Sequence, residues 1–369
     1  MKRLIFLVVF AALASSTVAF GQQAQQPEAN PPETKVTPPP AFEKYIKEAM
    51  PICEQTTLSY IAMVHKLPSN LQGLVVRAAS PRQTCEAQVV GVTSREGTVY
   101  LGIPWFLDDV KDVQGLEAKL QQFTASALHE EFKPVIDRKN PTKEGLFPVT
   151  LYETTDRGKL PLYGEIDPNG TVFFIGPFRP FTEPPASARL KAFEPYLGDS
   201  PTTGAAKPEV TVVEFSDFEC PSCQHASGYM KPILEKHGDK VRYIRYDTPL
   251  VTMHPWAFSA AMAGRAVWHQ KPEAFWDFKK EVYDNQDKLN SFTIDDFTRG
   301  FAKDHELDLK RYDADIASQT LQTKIIEGVG TAFSNDVRAT PTYMVNGVLV
   351  DAGADGKDLA AYIDSLLKK

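Results

Sequence analysis

Apolar positions recur in two formats along the chain. Between residues 42 and 176, helix-like stretches alternate with short strand-like runs. After residue 209, a β-branched run leads into long helical patterns and closes on a hairpin. In the first region the helix-like stretches are Phe42–His65, broken near Pro51, and Leu116–Phe132. Each precedes three strand-like runs, Gly73–Ala79, Cys85–Thr93 and Thr98–Ile103 in one set, Phe147–Glu153, Leu160–Ile166 and Thr171–Ile175 in the other. Gly97-Thr98-Val99-Tyr100-Leu101 returns as Gly170-Thr171-Val172-Phe173-Phe174, an offset of 73, and Gly91 and Gly164 match at the same offset. Arg95-Glu96-Gly97 and Asp167-Pro168-Asn169-Gly170 are hairpin turns. The pattern predicts two tandem α-β-β-β modules, 41–108 and 109–183, with chance as the competing explanation of a five-residue match.

In the second region Glu209–Phe215 reads as a buried strand, Cys220–Lys236 as a helix and Val241–Tyr246 as the next strand. Pro255 to about Phe333 is helical, with an aromatic stripe (Phe275, Trp276, Phe278, Tyr283) that reads as core rather than as a cofactor box. Thr342–Val345 and Val348–Val350 flank Asn346-Gly347, a type I′ turn signal, and Asp355–Leu367 is an amphipathic helix. A linker is predicted at 184–208, containing a short helix at Ala186–Tyr196 and ending in the small, polar Gly198–Pro208.

Composition adds three constraints. An apolar fraction of 43% over 369 residues supports several cores. A formal charge of −7 with no basic run argues against nucleic acid as a partner. Lys2-Arg3, the apolar Leu4–Leu13 and the small residues before Ala19 form a secretory signal at 1–19, followed by a Pro/Gln-rich linker at 20–40. A retained anchor is the alternative to cleavage. Export implies an oxidising compartment, the periplasm, where disulfides persist.

The chemistry concentrates at Cys220-Pro221-Ser222-Cys223, placed where the strand turns into the helix. Cys220 at a helix N-terminus is favoured as thiolate by the helix dipole. Cys223, one turn on, is placed to attack a mixed disulfide at Cys220, and Pro221 suits a position that needs no N–H partner. Zinc binding wants four ligands, and Cys53 and Cys85 form no second close pair, so no metal is expected. A purely structural disulfide is the other bland reading, and the redox reading is favoured over both. Cys53 and Cys85 are left as a structural disulfide closing a loop of about 30 residues and contributing ~3 kcal/mol. A second redox centre is the sharper alternative for them.

Val212-Val-Glu-Phe-Ser-Asp-Phe-Glu-Cys-Pro-Ser-Cys223, with Ala339-Thr-Pro-Thr-Tyr-Met-Val-Asn-Gly347 far downstream, resembles the DsbA-like thiol–disulfide oxidoreductases of the thioredoxin superfamily. The resemblance spans 209–369 and implies an α/β thioredoxin-like fold with a helical insertion at about 254–335, preceded here by the two small α+β modules. It implies a cis Pro341 against the dithiol and Thr340 offering main-chain contacts to an extended substrate. It also implies a buried Glu214 beneath Cys223, able to move protons during exchange; a strand-edge acid in water is the plain alternative. Asp217 and Glu219 read as turn and capping residues that oppose the thiolate slightly. Ser222 departs from the histidine of the most oxidising members. Cys220 is therefore expected between the extremes of about 3.5 and 7 for such motifs, nearer the middle. His225 is a candidate to compensate, and a solvent-exposed helical residue otherwise. The second module weakly resembles the dimerisation domain of DsbC- and DsbG-type isomerases, and two copies in one chain suggest that they pair with each other in place of a homodimer contact.

These readings point to an exported enzyme that forms disulfides by exchange through Cys220–Cys223, without a cofactor, as a monomer or homodimer. Its partners would be unfolded or misfolded secreted proteins and a redox partner, with a membrane protein as one candidate. A DsbC/DsbG-type isomerase or reductase is the alternative, and a periplasmic chaperone or binding protein is the alternative from another class.

Overall fold

The computed structural model describes residues 34–49, 56–79, 87–110, 113–128, 131–155 and 158–368. The predicted signal segment, much of the first linker, and Cys53 and Cys85 with their expected disulfide lie outside the described residues.

The N-terminal part runs α1 (Pro40–Ala49), β1 (Thr57–Ala62), β2 (Leu71–Ala79), β3 (Ala87–Ser94), β4 (Thr98–Leu101) and β5 (Trp105–Phe106). The same order then repeats as α2 (Leu116–Phe123), β6 (Phe132–Ile136), β7 (Phe147–Thr155), β8 (Gly158–Ile166), β9 (Val172–Ile175) and β10 (Arg179–Pro180). Both expected helices are too long. The Phe42–His65 helix stops at Ala49, and Thr57–Ala62 is a strand paired antiparallel with β2. The Leu116–Phe132 helix stops at Phe123, passes through one π-type turn at Thr124–Leu128, and gives way to β6. Phe132 and Pro134 of β6 face inward while Lys133 and Val135 are exposed, so strand pairing with β7 overrides the local helical pattern.

The repeat is joined by exchange. β5 follows β4 in the chain yet pairs with β9, Trp105 opposite Phe173 and Phe106 opposite Val172. β10 follows β9 yet pairs with β4, Arg179 opposite Val99 and Pro180 opposite Thr98. Two five-stranded sheets result, β1-β2-β3-β4-β10 and β5-β9-β8-β7-β6, each completed by the other module. A shared core seals the pair. Leu71, Val92 and Tyr100 pack with Leu146, Val172, Phe174 and Phe178, and the Tyr100 and Phe174 rings meet edge-on at 5.0 Å. Burying each such side chain contributes about 1.5–3 kcal/mol. The repeated glycines have a packing reason. A Cβ on Gly91 would meet the Phe42 ring at 2.7 Å, and one on Gly164 would meet the Phe174 carbonyl oxygen at 2.3 Å.

The remainder runs α3 (Pro185–Leu197), β11 (Thr202–Gly204), β12 (Val210–Ser216), α4 (Pro221–Ala226), α5 (Met230–His237) and β13 (Val241–Asp247). Five helices follow, α6 (Ala257–Gln270), α7 (Ala274–Asp284), α8 (Ile294–Asp304), α9 (Leu309–Ile316) and α10 (Gln319–Phe333), then β14 (Thr342–Val345), β15 (Val348–Val350) and α11 (Lys357–Leu367). The stretch read as a linker, 184–208, is structured. Phe193 of α3 is fully buried against Phe215 and Tyr246, and β11 adds an antiparallel edge to β13. The sheet order is β11-β13-β12-β14-β15, with β12 parallel to β13 and antiparallel to β14. Central placement explains the β-branched run of β12, since both of its faces are covered. Val213 and Phe215 face α3 and α10, while Val212 packs with Met230, Ile233, Leu359 and Ile363.

Helix α10 ties the parts together. Ile325 and Ile326 pack with Leu160 of β8, and the Tyr163 N–H donates to Ser334 Oγ at 3.1 Å. Gly330 permits the approach, because a Cβ there would lie 2.2 Å from the Pro161 carbonyl oxygen. Arg179 of β10 donates to Asn335 just beyond the helix. The exchanged modules thus rest on the helix that leads to Thr340-Pro341. No helix among the described residues is long and apolar enough to cross a membrane.

Candidate active site

Cys220 is the N-cap residue of α4, and Pro221 occupies the first helical position. The Cys220 carbonyl accepts the N–H groups of Cys223 and Gln224, so the helix starts at the nucleophile. Cys220 is 6% exposed and Cys223 is fully buried, both as free thiols. The Cys220 Sγ donates to the Thr340 carbonyl at 3.4 Å, and the Thr340–Pro341 peptide is cis. The Asp217 N–H donates to Cys223 Sγ at 3.4 Å. The hydrogen bond from Cys223 pulls the Cys220 thiol down to about 6 against the opposing effect of burial, and the Thr340 side chain adds to that lowering. Burial pushes Cys223 well up, and its bond to Cys220 and the nearby charges of Cys220 and Glu214 add to that. One thiol is therefore set to be thiolate near neutral pH and the other to stay protonated until called on.

Glu214 is buried, as the strand register requires. Its Oε2 accepts from the Tyr243 hydroxyl at 2.6 Å, and its Oε1 has no partner among the described groups. Lys279 donates to the same Tyr243 hydroxyl at 3.0 Å. Burial pulls the Lys279 ammonium down, and Glu214 resists that. Glu214, Tyr243 and Lys279 form a buried polar chain on the face of the sheet below Cys223. Arg245 lies deeper, fully buried, with its guanidinium 3.7 Å above the centre of the Phe218 ring and paired with Asp247. Arg245 is buried because β13 is covered on both faces. Lys279 and Tyr243 escaped the sequence reading. A single lysine among Phe275, Phe278 and Val282, at helical spacing on a buried face, was the available signal.

The two acids before Cys220 are structural anchors. Asp217 accepts from the Glu219 N–H, the Leu250 N–H and His254 Nδ1 at 2.7, 2.8 and 2.7 Å. Glu219 accepts from the Trp256 and Ala257 N–H groups at the start of α6, 2.7 and 3.0 Å. Gln286 donates to the Phe218 and Cys220 carbonyls, so the insertion also holds the loop from above. Ser222 is exposed beside the dithiol. His225 turns away, its Nε2 3.3 Å from the Ala354 carbonyl, and does not supply the compensation considered for it. An open groove of about 710 Å³ runs past Pro221, Ser222, Pro341, Thr342 and the 350–354 segment. The structure thus brings Cys220, Cys223, Pro221, Ser222, Glu214, Thr340 and Pro341 into one site.

A dithiol at a helix start, facing a cis-proline loop across a mixed sheet, defines a thioredoxin-fold protein, and residues 197–365 match the thioredoxin family Thioredoxin_4. A probable disulfide bond formation protein D of Bacillus cereus is 30% identical over 164 residues, 43% of this chain and 75% of that protein. On that likeness the chain belongs to the DsbA-like thiol–disulfide oxidoreductases of the thioredoxin superfamily. An Na(+)/H(+) antiporter NhaA 1 of Mycolicibacterium vanbaalenii is 32% identical over 168 residues, 45% of this chain. The chain spans only 26% of that antiporter's length. The solved structure of oxidised BdbD from Bacillus subtilis aligns with 24% identity and a TM-score of 0.42, covering 47% of this chain and 95% of that one.

Proposed function

We propose that this protein is an exported thiol–disulfide oxidoreductase that forms disulfides in protein substrates. A substrate thiolate attacks the Cys220–Cys223 disulfide at Cys220, and Cys223 leaves as a thiolate. A second substrate thiolate then attacks the mixed disulfide, releasing oxidised substrate and the reduced dithiol. The observation that carries this reading is the asymmetry of the two thiols, with Cys220 held down to about 6 and Cys223 pushed up. Stabilising the Cys220 thiolate stabilises the reduced form and makes the disulfide a better donor. Glu214 has a free oxygen below Cys223 and serves as the group that exchanges a proton with it. Thr340 and the groove beside it receive an extended substrate segment.

The exchanged modules favour a second reading, in which the reduced dithiol attacks wrong disulfides and the modules hold the substrate. The proposed division is an interlocked pair over 41–183 and a dithiol unit over 184–368. Mutual completion of the two sheets supports a chain that needs no second copy for this contact. Light scattering tests that point, and a stable dimer held by residues 41–183 would sink it.

The activity is tested by mixing the oxidised protein with a reduced, unfolded disulfide-containing substrate. Stoichiometric substrate oxidation that is lost in Cys220→Ala supports the proposal. Aggregation suppression that survives Cys220→Ala, with no oxidation or isomerisation by the native protein, would point to a binding protein instead.

A further inference from the structure

We propose that His254 is a positioning residue for the Cys220 thiolate, its imidazolium offsetting the two carboxylates that precede the nucleophile. This rests on the dithiol reading above. Asp217 and Glu219 stand three and one residues before Cys220. The Asp217 side chain is fully buried, and of the three donors that reach it only His254 can carry a charge. Glu219 grips the backbone two and three residues after His254, so both acids are fastened to one short segment. That segment continues into Trp256, which packs in the same core cluster as Cys220. The histidine is therefore held beside the loop that carries the nucleophile.

The other charged groups around the loop are committed elsewhere. Arg245 is paired with Asp247 across the Phe218 ring. Lys279 is directed to Tyr243 on the Glu214 side, and Tyr283 is occupied by Ser216 and the Asp217 carbonyl. Ser222 brings no charge and His225 faces Ala354. Burial works against the His254 cation, but the Asp217 hydrogen bond and the charges of Asp217, Cys220 and Glu219 outweigh it and raise its pKa. Two neighbouring anions disfavour a thiolate, and a cation bound to Asp217 reduces that penalty. The histidine absent from position 222 is thus replaced from across the sequence.

The experiment follows the ultraviolet thiolate absorbance of the reduced full-length protein against pH. In His254→Gln the Cys220 midpoint should rise by about one unit, a tenfold loss of thiolate at fixed pH below it. Introducing Ser222→His into that variant should restore the midpoint. By reciprocity, the His254 titration seen by NMR in the otherwise native protein should fall in Cys220→Ser. A folded His254→Gln with an unchanged midpoint overturns the proposal. Should that variant fail to fold, an unchanged His254 titration in Cys220→Ser overturns it equally. A native protein with no thiol titrating below the ordinary range would instead overturn the dithiol reading on which the proposal rests.

Discussion

The module pair and the dithiol unit bury different things. The pair closes around aliphatic and aromatic side chains contributed by both repeats, Leu71, Tyr100, Val172 and Phe174 among them. The dithiol unit carries charge into its interior, with Glu214, Arg245, Asp247, Arg265 and Lys279 all buried. An apolar seam needs no particular partner atom and serves to hold two surfaces together. Buried charges are costly unless matched, and they change the protonation of whatever lies nearby. Among the described residues the buried cations, Arg189, Arg245, Arg265 and Lys279, all lie in the dithiol unit.

The largest expected effect tests one of the acids buried in the module pair, where Glu144, Glu153, Glu165 and Asp167 are all buried. Glu165 is buried at the seam, its Oε2 has no partner among the described groups, and burial together with Glu144 pushes its carboxyl up to about 8. The folded state favours the protonated acid. That contribution is complete below the ordinary carboxylate range near pH 4.5 and is lost as pH rises through about 8. Stability should fall across this window by on the order of 5 kcal/mol. Glu165→Gln should flatten the curve, and an unchanged pH profile in that variant would remove Glu165 as its source.

The next tests whether charge burial in the dithiol unit is truly matched. Asp247 pairs with both Arg245 and Arg265; Arg265 keeps its pairing with Asp199, so Asp247→Ala strands the fully buried Arg245. It should cost about 3–5 kcal/mol in chemical denaturation. A loss below about 1 kcal/mol would mean that Arg245 does not depend on it.

The smallest concerns the helix between the two units. Ser318 caps α10, its Oγ accepting the Leu321 N–H at 3.2 Å. Ser318→Ala should cost about 1 kcal/mol, measured as a lowered midpoint of thermal unfolding. No change would show that packing against β8, rather than the cap, sets the helix end.

Much of the dithiol unit is legible in the sequence because local chemistry dictates it. The β-branched run of β12, the Cys-Pro-Ser-Cys turn and the Asn346-Gly347 hairpin each carry their own signal, and both turn residues adopt positive φ. The partners of those motifs are less legible. His254, Lys279 and Arg245 reach the site from the insertion and from β13, and nothing in their local sequence says where they converge. In the module pair, β1 and β6 resemble helix extensions until a neighbouring strand claims them. β5 and β10 are two residues each, too short for any periodicity, yet they create the exchange. Pairing over long sequence distance is set by the whole fold, which is why the repeat is readable and its interlocking is not.

The most direct test of the central claim is the equilibrium reduction potential of Cys220–Cys223 in glutathione buffers. A Cys220 thiol near 6 without a histidine at position 222 predicts an intermediate couple, between about −120 mV for the strongest oxidants and about −270 mV for thioredoxin. A value below about −270 mV, or a pair that does not exchange with glutathione, would contradict a disulfide-donating site.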